Sequence, residues 1–203
     1  RSSLALGIGV GLSTFPFEDG KGYFRWVQQC ERGGVDSIWQ TDRLVSKEPM
    51  LECFTAMAAI AGATDRIRFG MDVASIALRD PLLVAKQCAS IDMLSHGRLL
   101  PAFGLGSALS QDYVATGTAT KRRGKKANEA LSLVHRLWHE DDVDFDGEFF
   151  QYKSASISPK PSNPNLPLWI GGSSEVAMKR TATYGTGWIG GLDSTEQAGV
   201  MVS

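Results

Sequence analysis

The sequence predicts an α/β protein with a parallel sheet covered by helices, and three observations support that prediction. Short β-type runs alternate with amphipathic helical segments. Six such β-then-α units follow one another within 203 residues. Parallel neighbours require crossover connections, which the helices supply. A doubly wound open sheet and a (β/α)8 barrel both fit this order. The count of units by itself favours the open sheet, because a barrel needs eight strands and typically about 250 residues.

The predicted strands cover residues 4–12, 37–41, 66–74, 98–105, 166–171 and 187–190. The first strand contains Gly7, Gly9 and Gly11. A dinucleotide-binding GxGxxG motif would need glycine in place of Leu12 and a helix that opens at once, whereas the predicted helix begins near Gly20. Small residues inside a strand indicate instead that a ligand or another backbone passes close by.

Each predicted helix carries one apolar stripe for packing on the sheet. In the first two helices the stripes are Tyr23, Trp26, Val27 and Cys30, and Phe54, Met57, Ala58 and Ala61. The third helix has Asp80 as its N-cap, Pro81 at its first position and Gly97 as its stop. Residues 138–167 are predicted to form a hairpin that turns at Gly147, followed by a proline-rich extended segment. No second domain is needed, so residues 1–203 are predicted to form one domain.

The composition indicates an ordinary soluble domain. Hydrophobic residues make up 43% of the chain and the formal net charge is -1, so no attraction to nucleic acid or to anionic membranes is expected. No apolar run approaches the roughly 20 residues of a membrane span, which predicts a cytoplasmic protein. Cys30, Cys53 and Cys88 form no CxxC pair and fall at apolar helical positions, which predicts buried thiols.

Two groups of residues at predicted strand ends could carry chemistry. Residues 171–174, Gly-Gly-Ser-Ser, end a strand before a helix, where amides and hydroxyls can hold a phosphate; a tight turn with a serine N-cap is the alternative. Asp42 and Arg43 follow the second strand, and Asp72 lies within the third, where an unpaired buried carboxylate is costly. A salt bridge or a helix cap would also explain Asp42. For Asp72 we expect a bulge that faces a ligand.

The basic segment of residues 121–126, KRRGKK, is unusual in a nearly neutral chain. It is predicted to be a solvated loop before a helix, in which Arg122 or Arg123 pairs with Glu129. Contact with an anionic cofactor tail is the alternative. No aromatic residue interleaves with these charges, so nucleic-acid binding is not expected.

No metal site is predicted. His135 and His139 share one helical face, but Arg136 stands where an HExxH zinc motif has glutamate.

Four stretches, in this order and spacing, resemble the luciferase-like monooxygenase family, which includes bacterial luciferase and deazaflavin (F420)-dependent reductases. They are GVDSIWQTDRL at 34–44, RIRFG to GLGS at 66–107, KRRGKKANEALSLVHRLW at 121–138, and FDGEFF to GWIGG at 145–191. The resemblance implies a (β/α)8 barrel, against the count of units. About six βα units would then be present, with residues 194–203 starting the sixth helix and the C-terminal units missing.

The resemblance also implies a cofactor, reduced FMN or alternatively F420, lying across the carboxyl ends of the strands. Asp42 and Arg43 would contact the ring or the substrate as catalytic residues. The expected cofactor-binding residues are Asp72 and Val73 at a third-strand bulge that often holds a non-prolyl cis peptide, Gly106 and Ser107 along the cofactor, and Gly171, Gly172, Ser173 and Ser174 at its phosphate.

The implied activity is that of a monooxygenase that uses reduced FMN and O₂ on a small organic substrate, served by a separate flavin reductase. An F420-dependent hydride-transfer enzyme and a non-catalytic binding protein are the alternatives. A homodimer is expected. Two departures from the family pattern bear on this choice: Arg43 stands where many relatives have histidine, and Gly106 stands where luciferase-type members place an arginine for the FMN phosphate.

Overall fold

The computed structural model describes residues 6–191 together with residues 196 and 199. The strands are β1 Gly9–Leu12, β2 Ser37–Gln40, β3 Arg68–Met71, β4 Ala74–Ser75, β5 Leu99–Leu100, β6 Ala102–Gly104, β7 Val143–Asp146, β8 Gln151–Ala155, β9 Trp169–Gly171 and β10 Gly187–Ile189. The helices are α1 Gly20–Arg32, α2 Cys53–Ala63, α3 Pro81–Leu94, α4 Gln111–Ala115, α5 Arg123–His139 and α6 Glu175–Tyr184. Except for residues 196 and 199, the predicted start of a sixth helix at 194–203 lies outside the described residues.

Eight of these strands form two parallel arcs, in the orders β1-β2-β3-β5 and β10-β9-β6-β4. The third and fourth predicted strands each contribute to both arcs, because β3 continues into β4 and β5 continues into β6. The order therefore follows the chain without the reversal that a doubly wound sheet requires. It is the order of six consecutive strands of a (β/α) barrel, so the barrel prediction is confirmed and the open sheet favoured by the count is wrong.

The predicted strands are longer than the observed ones. Residues 66–74 were expected to be continuous, but the chain leaves β3 after Met71 and pairs again only from Ala74. Pro101 divides β5 from β6 because it has no N–H to donate to a ladder. Position 101 thus marks where the fourth strand passes from one arc to the other.

Close neighbours on adjacent strands explain several glycines of the sheet. A Cβ at Gly9 would lie 2.8 Å from Ser37 Oγ and from Trp39 Nε1, and a Cβ at Gly70 would clash with the backbone oxygen of Leu100 and lie 2.7 Å from Trp39 Cζ3. Trp39 also contacts Trp169, with 5.6 Å between ring centroids, and Gly187 makes room for Trp169 in the same way. Gly9 thus admits neighbouring side chains and not the ligand or backbone that we expected, whereas the nearest atom to a Cβ at Gly11 would be the backbone oxygen of Trp39, at 3.6 Å.

The residues that begin and end α3 are those that the sequence predicted. Asp80 caps α3 by accepting from Leu83 N, with Pro81 at the first position. Gly97, at φ +83°, lies in the left-handed turn beyond the end of α3. The stripe predicted for α2 is partly wrong, because Ala58 is exposed. This helix consists almost entirely of apolar and small residues, so its periodicity gives little information about its buried face.

The segment between α5 and β9 is the predicted hairpin and extended segment. Strands β7 and β8 pair antiparallel, and Gly147 N donates to Phe150 O across their turn, at 2.9 Å. The three cysteines are buried and unpaired, as predicted. Within the described part of the chain, no helix has the length and apolar character needed to cross a membrane.

Candidate functional site

The third strand is interrupted where its carboxyl end reaches the barrel mouth. Between β3 and β4, the Asp72–Val73 peptide is cis, which agrees with the geometry that the family resemblance implied. Val73 packs against two neighbouring strand ends: a Cβ at Gly104 would lie 2.7 Å from its Cγ2, and a Cβ at Gly171 would lie 2.9 Å from its methyl carbons. Glycine at both positions lets Val73 lie on the surface formed by β6 and β9.

A cavity of about 380 Å³ opens beside Val73, where β6 and β9 end and where α5 and α6 begin. Its lining consists of Val73, Gly104, Leu105, Gly106, Arg123, Gly171, Gly172, Ser174, Val176, Ala177 and Arg180. Five of the predicted cofactor-binding residues thus meet in one place, namely Val73, Gly106, Gly171, Gly172 and Ser174. Larger grooves elsewhere, along the outside of α1 and along the β7–β8 hairpin, contain none of the predicted residues.

The turn after β9 is held by the strand that follows it. Gly172 has φ +112°; its N–H donates to Ile189 O at 3.2 Å, and its carbonyl accepts from Trp188 Nε1 at 2.9 Å. Ser174 caps α6 by accepting from Ala177 N. The two copies of the sequence WIGG, at 169–172 and at 188–191, are therefore hydrogen-bonded to each other. The second copy fixes the glycine turn of the first, and the amides at the start of α6 lie at the cavity.

Ser173 and Ser107 lie outside the lining of the cavity. The Ser173 hydroxyl accepts from Gly191 N at 3.5 Å. The Ser107 hydroxyl accepts from Leu109 N and so caps the next turn. Gly106, between Ser107 and β6, has φ +64°, and a Cβ there would lie 2.7 Å from Ser75 Oγ. Two of the predicted contacts, those of Ser173 and Ser107, therefore have no support from the cavity geometry.

Two guanidinium groups give the cavity positive charge. Arg180 is buried, with 6% exposed; its Nε donates to Asn128 Oδ1 at 2.7 Å and its Nη2 to Gly124 O at 3.5 Å, so both of these partners are neutral. Burial lowers the pKa of Arg180. Arg123 Nε is buried and has no hydrogen-bond partner among the described residues. No carboxylate of residues 6–191 lines the cavity, so these arrangements fit an anion.

Asp42, by contrast, is enclosed. Its side chain is 1% exposed, and Arg79 binds both of its oxygens, at 2.6 and 2.7 Å. Ser75 N also donates to it, at 2.9 Å. The carboxylate that ends β2 therefore holds β4, and with it the peptide that carries Val73. The salt bridge considered as an alternative for Asp42 is present.

Asp42, Glu52 and Cys53 are close enough together to hold a metal ion. Arg79 lies among them, however, with its Nη2 3.5 Å from Glu52 Oε1 and 3.7 Å from Cys53 Sγ. Burial and the charge of Asp42 raise the pKa of the Cys53 thiol. The Arg79 guanidinium thus already pairs with both carboxylates of this cluster.

Comparison with known proteins tests the resemblance. The sequence profile of the family described as luciferase-like monooxygenase matches residues 8–203. The chain belongs to this family. It is 35% identical over 73% of its length to an uncharacterised protein of Mycobacterium tuberculosis and covers 51% of that protein. It is 27% identical over 91% of its length to an F420-dependent glucose-6-phosphate dehydrogenase of Kineococcus radiotolerans and covers 56% of that enzyme.

Among solved structures, monooxygenase RslO1 from Streptomyces bottropensis has the same fold, with a TM-score of 0.85 and 21% identity. The match covers 97% of this chain and 63% of that one. Of the two curated relatives described above, the chain spans about half the length.

Two charged residues at the mouth of the barrel lie apart from the cavity. Asp72 and Arg43 are both exposed, and neither lines the cavity. Although Asp72 is exposed, the protein around it reduces the hydration of its carboxylate and raises its pKa. Gly106 has no side chain to contribute to the cavity, whose positive charge comes from Arg123 and Arg180.

Three site residues were not identified from the sequence. Arg79 adjoins the Asp80 cap, and its partner Asp42 lies 37 residues away. Asp112 accepts from Leu44 N and from Val45 N, and so anchors the loop that carries Arg43. Arg180 lies on a helix with other polar residues. The pairing of Arg79 with Asp42, and that of Asp112 with the amides after Arg43, could not be predicted from sequence spacing. One signal was available for Arg79, which is a charged residue at the end of an apolar run.

Proposed function

We propose that this chain is the cofactor-binding part of a flavin- or deazaflavin-dependent oxidoreductase, with the cofactor phosphate in the cavity beside Val73. One observation carries the proposal. The cavity lies at the carboxyl ends of parallel strands, where barrel enzymes bind their ligands. Its described lining consists of four glycines, four apolar residues, a serine and two arginines, and includes no carboxylate. Arginine guanidinium groups and helix N-termini are the groups with which proteins bind phosphate.

The residues of the cavity have separate tasks in this proposal. Arg123 and Arg180 bind the phosphate, and the amides at the start of α6 complete its shell. Val73, which directly precedes β4, supports the ring. The ion pair of Asp42 with Arg79 holds β4 and so keeps Val73 in place. When bound, the reduced cofactor supplies the redox chemistry, which is O₂ activation for FMN and hydride donation for F420. The protein orients the ring and excludes water from it.

Asp42 acts through other residues in this scheme. Both of its oxygens are engaged and 1% of its side chain is exposed, which favours a positioning role over the catalytic contact that the resemblance implied. The exposed residues Asp72 and Arg43 are the candidates for contact with the substrate. Partial burial raises the pKa of Asp72 and so favours its protonated form more than in an ordinary aspartate. Arg43 can hold an anionic or carbonyl oxygen.

Hydride transfer with F420 has the stronger support of the two reactions. Position 106 is glycine, whereas luciferase-type members place an arginine there for the FMN phosphate. In addition, the F420-dependent glucose-6-phosphate dehydrogenase aligns over 91% of this chain. Monooxygenation with reduced FMN, supplied by a separate flavin reductase, is the second candidate, and the fold shared with a monooxygenase supports it. In both cases we propose a small organic substrate.

We also propose a homodimer. A groove of about 330 Å³ between α2 and α3 is lined in part by Phe54, Ala58, Ile91 and Leu94, and α2 carries no charged residue. Such a helix is normally covered by protein. Light scattering of the purified protein tests this, and Ala58→Glu should shift a dimer to monomer.

Titration of the purified protein with F420 and with FMN, followed by cofactor fluorescence, tests the proposed function. We expect saturable binding of at least one cofactor, with F420 binding more tightly. Saturable binding of FMN alone would select the monooxygenase. If neither cofactor binds, the oxidoreductase proposal fails and a binding protein without cofactor takes its place.

A further inference from the structure

The loop between β2 and α2 presents a cation and two apolar side chains in succession. Arg43 is exposed, and it forms no ion pair with the residues that the structure describes. Leu44 and Val45 follow it, with 45% and 43% of their surfaces exposed. This loop leaves the carboxyl end of a barrel strand, which is the end where barrel enzymes bind their ligands.

Hydrogen bonds hold this loop at two points. Asp112, which is buried, accepts from Leu44 N at 3.1 Å and from Val45 N at 2.8 Å. Further along, Pro49 O accepts from Phe15 N at 2.8 Å. Since the backbone is fixed at both points, the loop has little conformational entropy left to lose when a ligand covers its apolar side chains.

The segment that carries Asp112 also contacts the cavity beside Val73. The hydroxyl of Tyr113 donates to Leu105 O at 2.6 Å, and Leu105 lines the cavity. Leu109, three positions before Asp112, is 89% exposed. The exposed apolar side chains of the loop and of this segment therefore lie around an anchor that is one residue away from a contact with the cavity wall.

A second connection between the loop and the cavity runs through the residue before Arg43. Asp42 accepts from Ser75 N at 2.9 Å. The side chain of Ser75 lies against Gly106 of the cavity lining, where a Cβ would be 2.7 Å from Ser75 Oγ. Arg43 is thus placed next to the cavity without belonging to its lining.

Arg122, immediately before α5, differs from Arg43 because the fold already uses its charge. It forms an ion pair with Glu148. The predicted pairing with Glu129 is wrong, because Glu129 accepts instead from the backbone N–H groups of residues 148–150. Arg43 has no such ion pair within the described part of the chain, so its charge is available to a ligand.

We propose that the substrate is an organic anion with an apolar body, which places its charged group at Arg43 and its apolar part against Leu44 and Val45. Leu109 extends this apolar surface. The inference rests on the proposed function, because the cofactor must occupy the cavity beside Val73 for a molecule on this surface to meet it. It deepens that function by naming the substrate class. Burial of apolar area supplies affinity, and a guanidinium orients a carboxylate.

Isothermal titration calorimetry tests this on the protein saturated with F420, or with FMN where only FMN binds. The probes are 4-phenylbutyrate, its alcohol 4-phenylbutanol, butyrate and glucose 6-phosphate. For the wild type we expect 4-phenylbutyrate to bind roughly tenfold more tightly than butyrate, because it adds an apolar ring. It should bind roughly three- to tenfold more tightly than the alcohol, because an exposed ion pair contributes modestly.

Two variants separate the charge from the apolar contact. Arg43→Gln should lose the preference for the acid over the alcohol while binding the alcohol as the wild type does. Leu44→Ser/Val45→Ser should weaken the binding of both by roughly tenfold. The matched control is Met93→Ser, at an exposed apolar residue near the opposite end of α3, which should bind all probes as the wild type does. Every variant should retain wild-type affinity for the cofactor, which also shows that it is folded.

Equal affinities of the wild type for 4-phenylbutyrate and butyrate would overturn the inference and leave the proposed function standing. Unchanged affinities in Leu44→Ser/Val45→Ser would do the same. Tighter binding of glucose 6-phosphate than of 4-phenylbutyrate would assign the mouth to a polar substrate and overturn the inference also. If 4-phenylbutyrate binds but neither F420 nor FMN does, the proposed function fails, and the inference fails with it because it names a substrate.

Discussion

Asp42 and Arg79 form a two-pronged ion pair, with N–O distances of 2.6 and 2.7 Å, between the end of β2 and the residue before the N-cap of α3. Asp42 also accepts from Ser75 N. The pair therefore connects three segments beneath the barrel mouth. Since Val73 lies two residues before Ser75, the wall of the cavity depends on a carboxylate that does not touch the cavity itself.

Removal of one partner from this ion pair should be strongly destabilising. Arg79→Met leaves the buried Asp42 carboxylate without its counter-charge, which costs about 3–5 kcal/mol. Urea unfolding measures the difference. Arg136→Met is the matched control. Its ion pair with Glu140 is exposed, so this variant should change the free energy of unfolding far less than Arg79→Met does. Equal small losses in both variants would contradict a structural role for Asp42.

Space between Val73 and Gly171 should control cofactor binding. In Gly171→Ala the new Cβ would lie 2.9 Å from the Val73 methyl carbons, so Val73 must move, at a cost of about 1–3 kcal/mol. We expect weaker binding of F420 and a lower melting temperature.

Two further variants make the Gly171 result specific. Val73→Ala added to Gly171→Ala should restore part of the affinity by making room. Gly62→Ala, where a Cβ meets nothing within 4 Å, should raise stability by up to about 1 kcal/mol. If the double variant binds no better than Gly171→Ala, contact with Val73 is not the cause.

The raised pKa of Asp72 predicts a pH-dependent cost to the folded state. A carboxyl group whose folded-state pKa is raised favours folding fully below its unfolded value of about 3.9, and loses that contribution as the pH rises through the folded value. Asp72→Asn removes the charge. The variant should therefore be more stable than the wild type at pH 7 and equal to it at pH 3. Chemical unfolding at both pH values decides this, and a variant that is less stable at pH 7 would contradict it.

Local chemistry was readable from the sequence where neighbouring residues decide the structure. The alternation of strands and helices, the Asp80 cap, the turn at Gly147 and the glycine turn at 171–172 all follow from residues a few positions apart. The unit count gave the wrong architecture, because an open sheet and part of a barrel have the same local pattern.

Long-range pairs account for what the sequence did not predict. Trp39 explains Gly9, and the Leu100 backbone together with Trp39 explains Gly70, only after the strands are placed side by side. The partners of Asp42 and of Arg180 lie 37 and 52 positions away. Such contacts depend on the closure of the sheet, and no periodicity within one segment encodes them.

The central claim is that the cavity beside Val73 holds the phosphate of a flavin-type cofactor, and one comparison tests it most directly. The deazaflavin chromophore without phosphate and F420 are titrated into the wild type, into Arg180→Met and into the neighbouring surface control Lys179→Met. We predict that F420 binds the wild type and the control at least tenfold more tightly than the chromophore does, and that Arg180→Met abolishes this preference. If Arg180→Met retains the full preference for the phosphate-bearing form, the phosphate lies elsewhere and the account is wrong.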